Sequence, residues 1–312
     1  MSGTVFKTGV RRLRRLGWVR LPLASARRLI ASVRAREWMM EKMTNPDCER
    51  FLTGAERYAA YLETPEGRLR LELAFSNLQE FLAPLSRPLK ALDLGCGTGV
   101  TALRLARIGF GVTLLDSSKQ MLEFATRTAL EAGLADKIVP RQGDANNLPD
   151  LFDARSFDLV LCHNVLEYVE EPQAVLRGAA RLLRDSSSVI SVLVRNQIGE
   201  VLKSAIKDGD LGAAEHSLTA EWGHESLYGG KVRLFRAGSL PTMLKACCLG
   251  ITAERGVRVL SDYLPSCISR DADYERIFEL ERKVGIQPEF AAIARYTQCI
   301  ARLAESAMKD RA

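Results

Sequence analysis

The sequence lacks the long apolar runs that membrane-spanning helices require. No stretch reaches the ~18 consecutive apolar residues of such a helix, which argues against an integral membrane protein. It also lacks a metal-binding pattern, because its seven cysteines and three histidines form no CxxC pair and no spacing that suits zinc. The odd cysteine count favours reduced, mostly buried thiols in a cytoplasmic protein. With 47% apolar and 26% charged residues, the chain is neither disordered nor fibrous.

Acidic residues are absent from the first 36 positions, which hold ten of the 44 Lys and Arg residues. The remaining 34 basic residues are outnumbered by 38 acidic ones in the rest of the chain, so the chain's net charge of +6 comes from the first 36 residues. Apolar residues recur there at helical spacing around Pro22, which predicts a basic amphipathic arm over residues 1–45. Such an arm suits an anionic membrane surface, nucleic acid or an acidic partner. A targeting peptide and a passive extension are the alternatives.

The remaining chain divides into a helical segment and a larger α/β region. Residues 46–87 are predicted as an N-terminal helical cap, with helices near 54–62 and 66–82. Over residues 88–305, apolar strands alternate with amphipathic helices, which predicts a parallel sheet covered on both faces. Strands are expected near 89–94, 111–116, 138–142, 157–163, 188–194, 251–260 and 292–302. Helices are expected near 99–109, 118–132, 173–184 and 239–248, and an insertion near 264–290 links the last two strands.

The sharpest pattern is a strand that runs into a glycine-rich turn and a helix, ALDLGCGTG at 91–99. Gly95, Gly97 and Gly99 permit positive φ angles and let the backbone approach a ligand closely. The next predicted strand ends in Asp116, where a carboxylate accepts hydrogen bonds from both ribose hydroxyls of an adenosine. The glycine turn and Asp116 together predict a nucleotide-binding site. Because the three glycines and Asp116 are all present, a domain that has lost its ligand is disfavoured. Cys96 is interpreted as a small filler rather than a nucleophile.

Polar residues also end the third and fourth predicted strands. Asp144 and Ala145 follow the third strand, where Asp144 is expected to accept a hydrogen bond from an adenine amino group. His163 ends the fourth strand, either beside the cofactor or as a core histidine bonded to the backbone. The carboxyl ends of parallel strands meet at one edge, and open α/β sheets bind their ligands there.

These motifs resemble the class I S-adenosylmethionine-dependent methyltransferases. The turn is GxGxG, unlike the GxGxxG of an NAD site, and GDA at 143–145 and LEYV at 166–169 complete the resemblance. It implies a class I methyltransferase Rossmann-like α/β fold, with a seven-stranded sheet in the order 3-2-1-4-5-7-6 and an antiparallel last strand. It also implies S-adenosylmethionine as the cofactor. The cofactor-binding residues implied are Arg70, Asp93, Gly95, Gly97, Gly99, Asp116, Asp144, Ala145 and His163.

Segments outside the cofactor motifs are similar to the bacterial tRNA 5-carboxymethoxyuridine methyltransferase family. They are TPEGRLR at 64–70, LCHNVLEYV at 161–169, GVRVLSDYL at 256–264 and IARY at 293–296. The likeness runs from about residue 60 to 302, and the segment at 256–264 is far more specific than the glycine turn.

That resemblance implies an enzyme that esterifies a carboxylate at the wobble position of a tRNA anticodon. A carboxylate is already a nucleophile at neutral pH, so positioning replaces a general base. Arg258, Tyr263 and His163 are the candidates that would orient the substrate, and Tyr296 and Arg295 are weaker ones. The alternative for Arg258 is a buried salt bridge with Asp262 that pins the last strand pair. Leu166 and Val169 are expected in the core and Glu167 at a helix start.

Region 197–238 departs from the family and is expected to form the substrate lid. Its cations and aromatic residues suit an anticodon loop; they are Lys231, Arg233, Arg236, Trp222, Tyr228 and Phe235. A solvated loop is the alternative. Two other functions stay open: a small-molecule O- or N-methyltransferase, and a non-catalytic binding module. Because the body is not basic, the arm is expected to supply a patch for tRNA.

Overall fold

The computed structural model describes residues 54–82, 87–225, 227, 229–236 and 238–304. The predicted arm and the first residues of the predicted cap lie outside the described residues, as does Tyr228. Among the residues described, no helix is both long enough and apolar enough to cross a membrane.

Seven strands form one sheet in the order β3-β2-β1-β4-β5-β9-β8. Neighbouring strands β1 to β5 pair in parallel, whereas β9 is antiparallel to both β5 and β8. A separate two-stranded hairpin pairs β6 with β7, so β8 and β9 are the sixth and seventh strands of the main sheet. The order predicted from the class I resemblance is therefore confirmed. The strands are β1 (Lys90–Leu94), β2 (Gly111–Asp116), β3 (Ile138–Gln142), β4 (Leu159–His163), β5 (Val189–Arg195), β6 (Trp222–His224), β7 (Lys231–Arg233), β8 (Leu249–Val257) and β9 (Tyr296–Leu303).

In the part of the chain that the structure describes, two helices precede the sheet, and the others connect its strands. Thr64 begins the second of these two helices by accepting a hydrogen bond from the backbone N–H of Gly67, and Pro65 occupies the first helical position. The helices are α1 (Ala55–Glu63), α2 (Pro65–Gln79), α3 (Val100–Arg107), α4 (Lys119–Glu131), α5 (Leu148–Leu151), α6 (Pro172–Leu182), α7 (Gln197–Leu202), α8 (Leu211–Ser217), α9 (Ser239–Ala246), α10 (Tyr274–Gly285) and α11 (Pro288–Ala291).

The central strands are apolar on both faces because helices cover both sides of the sheet. Successive residues of a strand point to opposite faces, so Ala91 and Leu92 enter different cores. Leu92 packs in the cluster that contains Leu176 of α6, and Ala91 in the cluster that contains Phe75 of α2. Both residues are fully buried, as expected for the middle strand of a doubly covered sheet.

The five N-terminal strands of the sheet begin and end within two residues of their predicted bounds, but the last pair was predicted too long. β8 ends at Val257 because Arg258 adopts a left-handed conformation with φ 61°, which an extended strand excludes. β9 begins at Tyr296 because a short helix and a turn occupy the residues before it. The insertion near 264–290 contains α10 and most of α11.

One of the alternatives and one expectation were wrong. Region 197–238 is not a solvated loop: it contains α7, a turn of π-helix over Lys203–Lys207, α8 and the β6–β7 hairpin. Phe235 is buried there, because its backbone N–H bonds to the carbonyl of Arg195 and draws it against the sheet. Glu167 does not begin a helix; it lies in a turn. Leu166 and Val169 are core residues, as predicted.

Cysteines are less uniformly buried than expected. All six described cysteines are free, and three of them are buried, but Cys248 and Cys267 are exposed.

Candidate active site

The glycine turn and the end of β2 form one hydrogen-bonded unit. Gly95, Gly97 and Gly99 have φ of 59°, 53° and 76°, which explains the need for glycine at all three. The backbone N–H of Gly97 donates to Oδ2 of Asp116 at 2.9 Å, and that of Ser118 donates to Oδ1 at 2.9 Å. Burial raises the pKa of Asp116, and these backbone N–H groups oppose the rise. The carboxylate is thus fixed at the turn.

A cleft opens beside this turn. It brings together residues from α1, α2, the segment 93–101 around the glycine turn, the end of β4 and β5. The lining includes Tyr58, Arg70, Asp93, Gly95, Cys96, Thr98, His163 and Asn164. Four of the predicted cofactor residues, Arg70, Asp93, Gly95 and His163, therefore line one cleft.

Arg70 is a buried cation held by neutral partners. Its Nη1 donates to Oδ1 of Asn164 and its Nη2 to the hydroxyl of Tyr58, both at 2.9 Å. Its Nε is buried and has no hydrogen-bond partner. Burial acts to lower the pKa of Arg70, but the phenol oxygens of Tyr58, Tyr61 and Tyr296 raise it well above the ordinary value. Arg70 is not a surface arginine, and it keeps hydrogen-bonding capacity for an anion.

Asp93 and Cys96 line the same cleft with different properties. Burial and the charge of Asp116 raise the pKa of Asp93 to about 7. Burial, Asp116 and Asp93 raise the pKa of the Cys96 thiol well above its ordinary value, so the thiolate that a nucleophile needs is disfavoured. This supports the interpretation of Cys96 as a filler.

His163 is bonded to a side chain and not to the backbone. Its Nε2 lies 2.8 Å from Oγ of Ser191, which in turn accepts from Nε2 of Gln298 at 3.0 Å. Oε1 of Gln298 accepts from Asn77 of α2. Burial and the nearby charge of Arg70 lower the pKa of His163 to about 3, so the imidazole is neutral at neutral pH. Asp144 and Ala145 lie after β3, where Oδ1 of Asp144 accepts from the backbone N–H of Asn146.

Four guanidinium groups surround Tyr296 next to the cleft. The guanidinium carbons of Arg70 and Arg195 lie 5.8 Å and 5.9 Å from the ring centroid. Burial raises the pKa of Tyr296, but the charges of Arg195, Arg70, Arg258 and Arg295 override it and lower that pKa to about 8. Tyr296 and Arg295, which sequence reasoning ranked low, therefore belong to the same buried cluster as Arg258.

The other three arginines of the cluster have carboxylate partners. Arg295 Nη1 lies 2.6 Å from Oε2 of Glu200, and Arg195 Nη1 lies 3.8 Å from the same oxygen. Arg258 pairs with Asp262, as the structural alternative anticipated. Tyr263 donates from its hydroxyl to the carbonyl of Gly199 at 3.4 Å.

A single carboxylate holds the segment that carries Arg258, Asp262 and Tyr263. Glu281 of α10 accepts from three successive backbone N–H groups, those of Val259, Leu260 and Ser261, at 2.6, 2.9 and 2.6 Å. It is 1% exposed. Successive N–H groups of this kind form an anion-binding concavity, which the chain fills with its own side chain.

Sequence reasoning missed Tyr58, Arg195, Glu200 and the bonding role of Glu167. Arg195 had a usable signal, because it ends β5 at the same edge as the other strand tips. Glu167 accepts from Asn164 Nδ2 and from the backbone N–H of Arg195, which only the tertiary structure brings together. No cluster that suits a metal ion occurs in the described part of the chain.

Comparisons with known proteins agree with this geometry. A family model described as a methyltransferase domain matches residues 85–230. The tRNA 5-carboxymethoxyuridine methyltransferase of Escherichia coli K12 is 28% identical over 251 residues, covering 78% of this chain and 91% of the relative. The ubiquinone biosynthesis O-methyltransferase of Proteus mirabilis is 35% identical over 109 residues, but covers 35% of this chain and 43% of that protein.

Solved structures share the fold. An S-adenosylmethionine-dependent methyltransferase of Thermotoga maritima aligns with a TM-score of 0.53 at 13% identity, covering 81% of this chain and 98% of the other. One from Methanosarcina mazei aligns with a TM-score of 0.50 at 17% identity, covering 73% and 97%. The fold is thus that of the class I S-adenosylmethionine-dependent methyltransferases, and nearly half of the chain matches a methyltransferase domain. Within that class, the chain resembles the tRNA 5-carboxymethoxyuridine methyltransferases over most of its length.

Proposed function

We propose that this methyltransferase esterifies the carboxylate of 5-carboxymethoxyuridine at the wobble position of tRNA. The observation that carries the proposal is the extent of the likeness to the E. coli tRNA methyltransferase, which covers 91% of that relative. A match limited to the glycine turn and its neighbours would indicate only the shared cofactor. We further propose that the protein is cytoplasmic, because the tRNA that it is proposed to modify is found in the cytoplasm of bacteria.

The residues of the cleft fit S-adenosylmethionine as the methyl donor. Arg70 keeps a buried, unpartnered Nε, and a second unpartnered buried atom is Oγ1 of Thr98. A Cβ on Gly97 would lie 2.9 Å from the ring of Tyr58, so a larger residue would fill the space beside the turn. The bound donor would supply an electrophilic methyl group on a sulfonium. Arg70 would bind its carboxylate, and Asp116 its ribose hydroxyls.

The remaining cofactor assignments follow the strand ends. Asp93 lies near the end of β1, and the turn with Gly95, Gly97 and Gly99 follows it. The backbone of this turn would contact the donor. Asp144 and Ala145 would contact the adenine. His163, being neutral, adds no positive charge beside a cationic sulfonium, while its bond to Ser191 fixes the ring.

The arginine cluster supports an anionic acceptor. A carboxylate attacks the methyl group directly, so the protein has to orient it and need not deprotonate it. A guanidinium that neutralised it fully would weaken it as a nucleophile. Arg258 is already paired with Asp262, which moderates its charge while leaving the guanidinium fixed. Arg258 and Tyr263 are accordingly proposed to orient the acceptor without neutralising it.

The test is methyl transfer from radiolabelled S-adenosylmethionine to tRNA from cells that lack the enzyme, followed by mild alkali. We expect label in tRNA that base releases as methanol, since an ester is base-labile. Asp116→Asn serves as the cofactor-site control and should lose the label. Label that resists base would overturn the carboxylate target and move it to a ring or ribose atom.

A small-molecule O-methyltransferase is the second candidate. The supporting observation is the higher identity, 35%, to the ubiquinone O-methyltransferase of P. mirabilis. That match covers 43% of that protein, however, and a segment of this length is consistent with a shared cofactor-binding half of the domain. Turnover of a metabolite extract that survives complete ribonuclease digestion would favour this candidate over the tRNA function.

We also propose that the chain has three parts: a basic arm over 1–45, a helical cap over 46–87 and the catalytic domain over 88–305. The eleven Lys and Arg residues of the arm would supply phosphate contacts to tRNA. A variant without residues 1–40 should bind tRNA more weakly, with a shallower dependence of affinity on salt. Unchanged affinity and salt dependence would refute the role of the arm.

A further inference from the structure

The β6–β7 hairpin has one buried face and one chemically unusual outer face. In its register Trp222 lies opposite Arg233, and His224 lies opposite Lys231. Opposite residues share a face of an antiparallel pair, as do alternate residues of one strand, so these four side chains lie together. The other face carries Gly223 and Val232, and Val232 is fully buried. All four outward positions are thus aromatic or basic.

Trp222 is exposed and lies against a guanidinium group. Its exposed fraction is 41%, and the guanidinium carbon of Arg233 lies 4.5 Å from the centroid of its ring. Arg233 is itself fixed by an ion pair with Glu221 and by a bond to the carbonyl of Glu170 at 3.4 Å. A guanidinium stacked on an indole orients the ring before any ligand arrives, which lowers the entropy lost on binding.

The charge of this face favours a polyanion. Glu221 is the carboxylate in contact with it, and that carboxylate is occupied by Arg233. Lys231 and His224 are exposed, as is Arg236, whose Nη2 donates to the carbonyl of Thr219 at 3.1 Å. Among the described residues, neither Lys231 nor Arg236 takes part in an ion pair with a carboxylate, so both are available to phosphates.

The hairpin is bonded directly to the acceptor side of the site, the part around Arg258 and Tyr263 that is proposed to orient the methyl acceptor. The backbone N–H of Arg233 donates to the carbonyl of Glu167 at 3.0 Å, and that of Phe235 donates to the carbonyl of Arg195 at 3.0 Å. Glu225, next to β6, lies 4.0 Å from Nη2 of Arg195. The hairpin is therefore bonded to the end of β5, where the arginine cluster around Tyr296 begins.

We propose that the outer face of the β6–β7 hairpin, formed by Trp222, His224, Lys231 and Arg233, is a binding platform for the single-stranded loop of an RNA substrate. An unpaired base stacks on Trp222 while the cations contact its phosphates. The proposal rests on the proposed tRNA function, and it adds the surface that holds the loop while the acceptor base enters the site.

Steady-state kinetics with tRNA test the platform. Trp222→Ala should raise the KM for tRNA about tenfold, because stacking of one base is lost. Trp222→Phe, which keeps a stacking ring, should stay within about threefold of the parent. Leu280→Ala is the matched control, since Leu280 is similarly exposed, at 46%, on α10. Affinity for S-adenosylmethionine, measured by calorimetry, should be the same in all four proteins.

Fluorescence gives a direct readout that does not depend on turnover. The chain has three tryptophans, so a Trp18→Phe/Trp38→Phe protein reports Trp222 alone. An anticodon stem–loop RNA should quench this emission in a saturable way. A fully paired RNA duplex, which has no loop, should not. RNA binding without quenching would overturn the stacking contact.

The two proposals fail in different ways. If wild-type protein methylates tRNA and Trp222→Ala has an unchanged KM, the platform is refuted and the tRNA function stands. If wild-type protein neither binds nor methylates tRNA, both are refuted. Lys231→Ala should reduce the slope of log affinity against log salt by about one, the signature of one lost phosphate contact.

Discussion

Arg70 donates from Nη1 to Oδ1 of Asn164 at 2.9 Å, across 94 positions of sequence. Asn164 in turn donates from Nδ2 to Oε1 of Glu167 at 2.8 Å, and that oxygen accepts from the backbone N–H of Arg195 at 2.9 Å. One chain of hydrogen bonds therefore joins α2, the end of β4 and the end of β5. It runs from the cleft beside the glycine turn to the end of β5, next to the arginine cluster around Tyr296.

Replacing Arg70 by lysine should weaken S-adenosylmethionine binding by about tenfold or more. An ammonium group cannot bond Asn164 and Tyr58 in a fork and still reach a carboxylate. Calorimetric titration with the cofactor measures the effect, and Arg57→Lys, at an exposed position of α1, is the control. Equal affinities for parent and Arg70→Lys would contradict the assignment of Arg70 to the cofactor.

Asp93→Asn should stabilise the protein at alkaline pH while it impairs the cofactor site. The pKa of Asp93 is raised from 3.8 to about 7, so the folded state favours the protonated form. Wild-type stability should then fall as pH rises from about 4 to about 7, because the unfolded chain releases this proton first.

Thermal unfolding of both proteins across this range is the measurement. Above about pH 7, Asp93→Asn should unfold at least about 3 °C higher than wild type, and below about pH 4 the two should coincide. Cofactor affinity should drop in the variant. A constant difference in melting temperature at every pH would contradict the pKa assignment.

Tyr296 should ionise at lower pH than an ordinary tyrosine. The four arginines lower its pKa from 10.0 to about 8, so a tyrosinate absorbance change with a midpoint near this value is expected in the folded protein. Its stabilisation is present above the unfolded pKa and is lost as pH falls through about 8. The stability of wild type relative to Tyr296→Phe should therefore grow between about pH 8 and 10. A midpoint near 10 in wild type would refute it.

Glu281→Gln should weaken binding of the tRNA acceptor without changing the binding of S-adenosylmethionine. An amide in place of the carboxylate turns a donor toward backbone N–H groups that need an acceptor, which is expected to destabilise folding by about 2 kcal/mol. The segment with Arg258 and Asp262 then loses its anchor. We expect a raised KM for tRNA with unchanged S-adenosylmethionine affinity.

Glu279→Gln is the control for this change, because Glu279 is on the same helix and pairs with Arg282 at the surface. If Glu281→Gln lowers the melting temperature but leaves the KM for tRNA unaltered, Glu281 supports only folding and does not position the acceptor site.

The strands of the sheet and the glycine turn could be predicted from local sequence alone. Strands buried on both faces, such as β1, are apolar runs bounded by breakers, and the spacing from Gly99 to Asp116 is local to one strand–helix–strand unit. Both signals depend on neighbouring residues in the chain. The order of the strands came from the class I resemblance, since periodicity carries no information about pairing between distant strands.

The surroundings of the proposed acceptor site, by contrast, depend on contacts between distant parts of the chain. Arg70, Arg195, Arg258 and Arg295 come from four separate elements, and each is an ordinary charged residue in its local sequence. Whether such a residue is a surface group or part of a buried cluster depends on contacts across 100 or more positions, as with Tyr61 and Arg258. The β6–β7 hairpin was not predicted for a related reason. Its strands are three residues long, which is too short for alternation to show. The backbone bonds that attach it to the rest of the protein go to Glu167 and Arg195, which are distant in sequence.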